Sequence, residues 1–421
     1  MALILAEAVF CAMNGAFCFV DREQFLRKLA NFEREENMPS WSERGWLSVA
    51  NLVWAVGSRW LMLTSMDSSS VCHEESHLIY YARSRAFGLD HRVVFDHPDL
   101  EQVQAMGLLA SFLLVNNSIS RAWTLLGAAV RHAFSLGLHL RVSDVSINEA
   151  ERTNRAETWF TLCTLEVLLA DITGRPMSVP FADAMVSTDL LGLQESEDLV
   201  STYSRGLWLD FIDSQENSLH EKPESALRLR SLSGAGRHPC SLYLSHRIIL
   251  SRISDRITTN LSSGLQNKPW SSFQGQVDKF HKEVLQWSEG LPDDFKIDET
   301  LPIGANTCAR LELNAYYQSV LMILHRPGVC DIRIGQESVG SKAWNSNCAK
   351  ICVCAAMALM DLMPGDPWEC EIYDVLPWWT LLHYLCQATA VLMLELCLEA
   401  QHVLDAKPDI TSRLRKAVAY L

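Results

Sequence analysis

The sequence predicts an all-α fold: one large helical domain spanning 1–421, with room for two helical lobes meeting near 240–280. Three observations carry that prediction. Long apolar runs recur at 103–115, 156–171, 308–325, 348–363 and 378–399, and the first (VQAMGLLASFLLV) already exceeds an ordinary strand. Alternating apolar and polar stretches bounded by Asn-Gly or Asp-Gly turns are not evident. No fixed-period repeat marks a solenoid. Polar or Gly/Pro/Ser-containing breaks fall at Met66–Ser70, Leu191–Glu197, Ser231–Pro239, Leu261–Ser272 and Gly328–Ser341, none long or charged enough to force separate domains.

Composition narrows the class. Of 421 residues, 48% are hydrophobic and 20% charged, which excludes a disordered acidic tail or a collagen-like chain. With 36 Lys+Arg against 50 Asp+Glu, the net charge is −14, so a general nucleic-acid surface built on clustered cations is excluded too. Thirteen cysteines leave at least one thiol unpaired. Cys163, Cys352, Cys386 and Cys397 sit in apolar, helix-like runs, where a thiol behaves as a small buried hydrophobe. A reduced, intracellular protein that is not secreted is the simpler reading.

Taken in chain order, the N-terminal Met1-Ala2-Leu3-Ile4-Leu5 is apolar but lacks a preceding basic residue and is interrupted by Glu7, which makes it a poor signal peptide. His73-Glu74-Glu75-Ser76-His77 matches H-E-x-x-H, in which two imidazoles on one helix face hold zinc and a Glu serves as general base. Here it reads as a chance match: it follows Ser68-Ser69-Ser70, and Glu75 stands where an apolar residue is usual. Catalytic zinc needs three protein ligands, and only Glu101 offers itself as a third. No metal and no cofactor are expected. The signatures G-x-S-x-G, G-x-x-x-x-G-K-[ST] and strand-linked G-x-G-x-x-G are absent, so no catalytic residue is nominated.

Within 121–140 (RAWTLLGAAVRHAFSLGLHL), Trp123, Leu126, Val130 and Phe134 form one apolar stripe, and Gly127, Ala128 and Ala129 admit a close neighbour. Arg131 lies among apolar residues and is expected to take a carboxylate or carbonyl partner in a structural role. Gly137 is placed to end the helix in a left-handed conformation, with Leu138 folding back onto it. Glu149 to Pro176 reads as a charged helix start followed by an apolar stretch to Ala170. Gly174 stops it, Arg175 is positioned to bond the freed carbonyls, and Pro176 prevents continuation. Val375 to Leu394 carries no Asp, Glu, Lys or Arg. Thr380, His383 and Gln387 fall on successive helical turns, so it reads as a core helix packed on protein, with no membrane role.

At this point the sequence resembles the fungal-specific transcription factor domain, the middle homology region of fungal zinc-cluster regulators. The strongest motifs lie at 121–139 and 151–177: RAWTLLGAAVRHAFSLGLH, then Arg152 to Phe160, then LLADITGRPMSV. Phe19–Phe25 (FVDREQF), Trp287-Ser288-Glu289-Gly290-Leu291-Pro292 and Leu324-His325-Arg326-Pro327 are similar to further family segments, in the family's order. Asn154 to Phe160 matches its Arg/Trp-rich segment only in part. Family members carry six cysteines in a short basic stretch; no C-x-x-C pair occurs in this sequence, and Cys348, Cys352 and Cys354 have the spacing of a buried helix.

The resemblance implies a transcription-factor-like regulatory domain without autonomous DNA binding, nuclear or else cytoplasmic. It would act through protein partners, including homo- or heterodimers, or through a small-molecule effector, in control of a fungal metabolic or secondary-metabolite pathway. The alternative is a helical domain repurposed as a biosynthetic enzyme or ligand carrier; an enzyme is the less favoured reading, because nothing nominates its residues.

Overall fold

A computed structural model describes residues 1–12, 18–34, 43–64, 76–89, 98–141, 147–179, 199–218, 240–264, 269–296, 307–329, 339–363 and 378–420. Among them are fourteen α-helices and no strand, so the chain is all-α. It divides into two compact units, one formed chiefly by Met1–Ile248, the other by Ile249–Leu301, Arg310–Ile372 and Leu376–Leu421.

The first unit contains α1 (Ala2–Ala12), α2 (Arg22–Arg34), α3 (Arg44–Leu63), α4 (Ser76–Ser84) with a π turn at Arg85–Leu89, α5 (Leu100–Val115), α6 (Ile119–Ser135), α7 (Glu149–Thr173), α8 (Leu199–Ser218) and the start of α9 (Cys240–Gly264). Its centre is α3, which packs against α1, α4 and α5. From Trp46 to Leu61 nearly every residue of α3 is buried, as expected of a helix apolar on all sides. Its polar side chains therefore need internal partners. Asn51 donates to the Leu47 carbonyl (2.8 Å), Thr64 to the Leu61 carbonyl (3.0 Å), and Ser48 lies 3.0 Å from the Ser84 hydroxyl.

Helix α5 is likewise buried without interruption from Val103 to Val115. It is started by Asp99, whose carboxylate accepts from the Gln102 N–H at 2.7 Å. Gln104 donates from α5 to Asn154 and Thr158 of α7, at 2.8 and 3.1 Å. Glu7, which interrupts the apolar N-terminus, is buried and accepts two hydrogen bonds from the Arg22 guanidinium, tying α1 to α2.

The second unit contains the remainder of α9, α10 (Trp270–Glu289), a 3₁₀ turn at Asp293–Phe295, α11 (Thr307–His325) from Arg310 onward and the 3₁₀ turn that follows it at Arg326–Gly328, α12 (Val339–Asp361), α13 (Trp378–Cys397) and α14 (Lys407–Tyr420). Helix α12 packs on α13, and α14 on both. Asp361 receives two hydrogen bonds from Arg413, at 2.9 and 2.8 Å. Lys416 donates to the Met360 carbonyl (3.1 Å) and the Met363 carbonyl, supplying a cation where the α12 dipole is negative.

Helix α13, within the segment Val375 to Leu394 read as a core helix, packs on protein along one face. Leu381, Tyr384, Leu385, Ala388, Val391 and Leu392 are buried, while Leu382, Met393 and Leu394 on the other side are exposed. The 3.6-residue period imposes this difference, because one neighbouring layer covers only one face. Thr380 is buried, and Gln387 accepts from Ser319 of α11 at 2.6 Å. It is the described helix long and apolar enough to cross a membrane, a test that a core helix passes as well.

Two glycines give opposite tests of this packing. A Cβ at Gly57 of α3 would strike the Leu5 carbonyl oxygen of α1, whereas one at Gly275 of α10 would meet nothing within 4 Å. Gly57→Ala is expected to lower stability by about 1–3 kcal/mol through overpacking. Gly275→Ala is expected to raise it by about 0.5–1 kcal/mol, since alanine has less freedom to lose in a helix. Thermal denaturation followed by circular dichroism distinguishes the two; equal melting of Gly57→Ala and the parent chain would contradict the α1–α3 contact.

Candidate functional site

The motif-bearing residues come together at a corner of the first unit made by α6, the turn after it and α7. The buried side of α6 is Ala122, Leu126, Ala129, Val130 and Ala133, so small residues set a close approach. Trp123 and Phe134 border that side and are half-buried. Gly137 has φ +67°. Around it the Leu138 N–H reaches the Ala133 carbonyl and the Gly137 N–H the Phe134 carbonyl, both at 3.0 Å, forming a Schellman turn with Leu138 buried beneath. Arg155 of α7 donates to the Leu136 carbonyl (2.8 Å), and Trp159 packs edge-on against Phe134, with ring centroids 5.2 Å apart.

At its far end α7 closes at Gly174, φ +66°, where a Cβ would meet nothing. Glycine is thus required there by conformation rather than by space. The Arg175 N–H bonds the Ala170 carbonyl at 3.2 Å. Its side chain does not bond the freed carbonyls as the sequence suggested. It crosses to α6, lies 4.7 Å over the Trp123 ring and donates to Ser120 at 3.2 Å. The long guanidinium side chain reaches the electron-rich face of a tryptophan on the neighbouring helix instead. Pro176 follows and is exposed. Glu166, fully buried in α7, accepts from the Ser178 N–H at 2.8 Å and holds this tail against the helix. Arg131 differs from the expectation of an apolar setting: nine residues beyond Ala122, it faces the opposite side of α6 and is exposed. Its partner is the Gly127 carbonyl of its own helix, at 3.0 Å.

These contacts fix the angle between α6 and α7. Of the H-E-x-x-H residues, His73 and Glu74 lie outside the described residues. His77 is buried on α4, its ring 6.1 Å from that of Phe112. Glu101 pairs with Lys28 at 2.7 Å. Among the described residues no three His, Cys, Asp or Glu side chains converge to hold a metal.

A second cluster, missed by the sequence reading, joins α10, α11 and α12. Cys348 Sγ is 3.5 Å from the His325 carbonyl oxygen and donates to it. The sulfur also lies 3.1 Å from His325 Nδ1, and His325 Nε2 lies 2.9 Å from His281 Nδ1, both within hydrogen-bond distance. Burial, reinforced by His281, pushes the His325 pKa down to about 3. Burial pushes the Cys348 thiol up to about 12. The thiol is therefore a hydrogen-bonding plug, not a nucleophile. Alongside it, Trp270, Gln274 and Asp278 of α10 meet Asn345, Ser341 and Trp344 of α12 at 3.1, 2.9 and 2.8 Å.

With this geometry established, comparison with known proteins decides the family. The description "Fungal specific transcription factor domain" matches residues 11–289, two thirds of the chain and all of the α6–α7 corner. This chain belongs to that family. Among its relatives, the transcription regulator galc of Aspergillus niger is 26% identical over 99% of this chain and 55% of its own length. The transcription factor FBD3 of Fusarium pseudograminearum is 30% identical over 42% of this chain and 22% of its own. An ABC-transporter-regulating transcription factor of Aspergillus oryzae is 22% identical over 93% and 40%. The chain thus spans about half, or less, of these relatives. No solved structure matches it.

The buried cluster has measurable consequences. Cys354, Cys386 and Cys397 are exposed whereas Cys163, Cys348 and Cys352 are buried, so a thiol reagent followed by peptide mapping should label the first three and spare the others until unfolding. Stability should also fall on both sides of neutrality. Below 6.5 the unfolded chain protonates at histidines that the fold keeps neutral, with His132, His281 and His383 also held low by burial. Above 9.0 the unfolded chain loses the Cys348 proton that the fold retains. Urea unfolding across pH checks this; a midpoint that rises below pH 6 would contradict it.

Proposed function

We propose that this chain is the regulatory domain of a fungal transcription regulator, located in the nucleus and acting through protein partners or a small-molecule effector. The observation that carries the reading is the family match over 11–289 together with similarity to a transcription regulator along 99% of the chain. The geometry supports it in kind. The motif residues build a helical corner held by Arg155 on the Leu136 carbonyl and Arg175 over Trp123, as suits a scaffold that presents surfaces. The net charge of −14 suits meeting basic partners more than gripping a phosphate backbone. The rival reading, a biosynthetic enzyme or ligand carrier, draws no support from these relatives.

The test is to fuse the chain to a heterologous DNA-binding domain and measure a reporter in a fungal host. Transcription is expected to change relative to the DNA-binding domain alone, and an unchanged reporter with the fusion present and folded would overturn the proposal. In mobility-shift assays the unfused chain is expected to form no sequence-selective complex.

A further inference from the structure

The outer face of α13 is an apolar stripe of a kind that monomer surfaces seldom present. Leu382 is 56% exposed, Met393 55% and Leu394 37%, and Cys386, Ala390 and Cys397 beside them are exposed as well. Leu382, Cys386, Ala390, Met393 and Cys397 follow one another at steps of four, four, three and four, so they lie on one side of the helix. Glu395 is the charged residue of this helix, and it is buried on the opposite side, accepting from His402 and Val403.

We propose that this stripe is the contact between two copies of the chain, with the two α13 helices packed antiparallel about a two-fold axis beside Thr389 and Ala390. The order of side chains argues for a second copy rather than another occupant, because the stripe is complementary to itself. Reversed about that axis, Leu382 faces the partner's Cys397, Met393 faces the partner's Cys386, and Ala390 faces the partner's Thr389. A long side chain meets a short one at the first two positions and small meets small at the axis, which is what an isologous interface requires.

Charge argues the same way. Two bodies each carrying −14 repel over most orientations, and the single carboxylate of α13, Glu395, is buried away from this stripe. The antiparallel arrangement also places the negative end of each helix dipole beside the positive end of the other. The area suffices: these side chains expose on the order of 500 Å² per copy, so pairing removes about 1,000 Å² in total, the size at which specific interfaces begin. A modest, concentration-dependent dimer follows. The inference does not depend on the regulatory reading and can fail or stand without it.

Sedimentation velocity of the full chain across a concentration series tests it. The parent chain is expected to pass from monomer to dimer in the micromolar range, and Leu382→Glu combined with Met393→Glu to remain monomeric with an unchanged thermal melt. Both substitutions fall on exposed positions, so folding should survive. A second measurement fixes the geometry. Leu382→Cys, oxidised with copper–phenanthroline, is expected to give a covalent dimer on a non-reducing gel, and Leu382→Cys with Cys397→Ser is expected to give none. A parent chain that stays monomeric at high concentration, a dimer that survives the double glutamate variant, or co-flotation with phosphatidylcholine–phosphatidylserine vesicles would overturn the proposal.

Discussion

A helix buried on every side has no water with which to satisfy its polar groups, and the first unit is arranged around that constraint. Helix α3 meets it in part, within itself and with its immediate neighbours, while Trp46 Nε1 and Asn51 Oδ1 are buried without a hydrogen bond. Asn51 and Thr64 turn back to carbonyls of their own helix, and Ser48 and Ser58 meet Ser84 and Ser76 of α4. These bonds contribute modestly one by one, but each left unmade would carry a desolvation cost of about 1–3 kcal/mol. They therefore select one placement of α4 from among those that would bury the same apolar area. The same logic governs Gln104 between α5 and α7, and Glu7 between α1 and α2. Apolar burial supplies the driving force, and a few buried polar groups choose the geometry.

The second unit uses a different device. Helices α10 and α12 are joined through long polar side chains: Trp270, Gln274, Asp278 and His281 descend one side of α10 at steps of four, four and three. His325 closes the lower end, bridging to Cys348. The two imidazoles and the thiol thus link the positions of three helices through one row of polar contacts. The α6–α7 corner of the first unit relies instead on left-handed glycines and on Arg175 lying over Trp123. Both arrangements fix the angles between the helices they join.

Much of this frame was legible in the sequence, and what was not has a physical reason. The runs at 103–115, 156–171, 308–325 and 378–399 are the apolar parts of α5, α7, α11 and α13, because long apolar periodicity has few other outcomes. Helix α12 begins at Val339, well before the run at 348, since its first turns carry the polar residues that face α10. Helix α3 was not singled out because its serines and asparagine disguise a wholly buried helix. The left-handed positions of Gly137 and Gly174 could be read locally, as glycine after an apolar stripe has a specific backbone meaning. The His281–His325–Cys348 chain could not, because its members are 44 and 23 residues apart and no local pattern links them. Arg175 and Arg131 show the same limit at side-chain scale: a helix position fixes where an arginine begins, and its long reach leaves the partner to tertiary structure. The breaks at Met66–Ser70, Leu191–Glu197 and Ser231–Pro239 lie outside the described residues.

The turn between α13 and α14 carries a genetic implication. Glu399 and Ala400 both adopt left-handed backbone without being glycine, at a cost of about 1–2 kcal/mol each. They are held there by the buried Glu395 carboxylate, which draws in the His402 and Val403 N–H groups and the His402 ring. A nonsense codon ahead of His402 would leave that carboxylate in apolar surroundings with none of these donors. It would also strip the Lys416 ammonium from the end of α12. A stranded buried charge costs about 3–5 kcal/mol, a large part of the margin by which a domain stays folded. Such alleles should therefore behave as nulls cleared by proteolysis, so that phenotype tracks protein abundance rather than a shortened but working regulator.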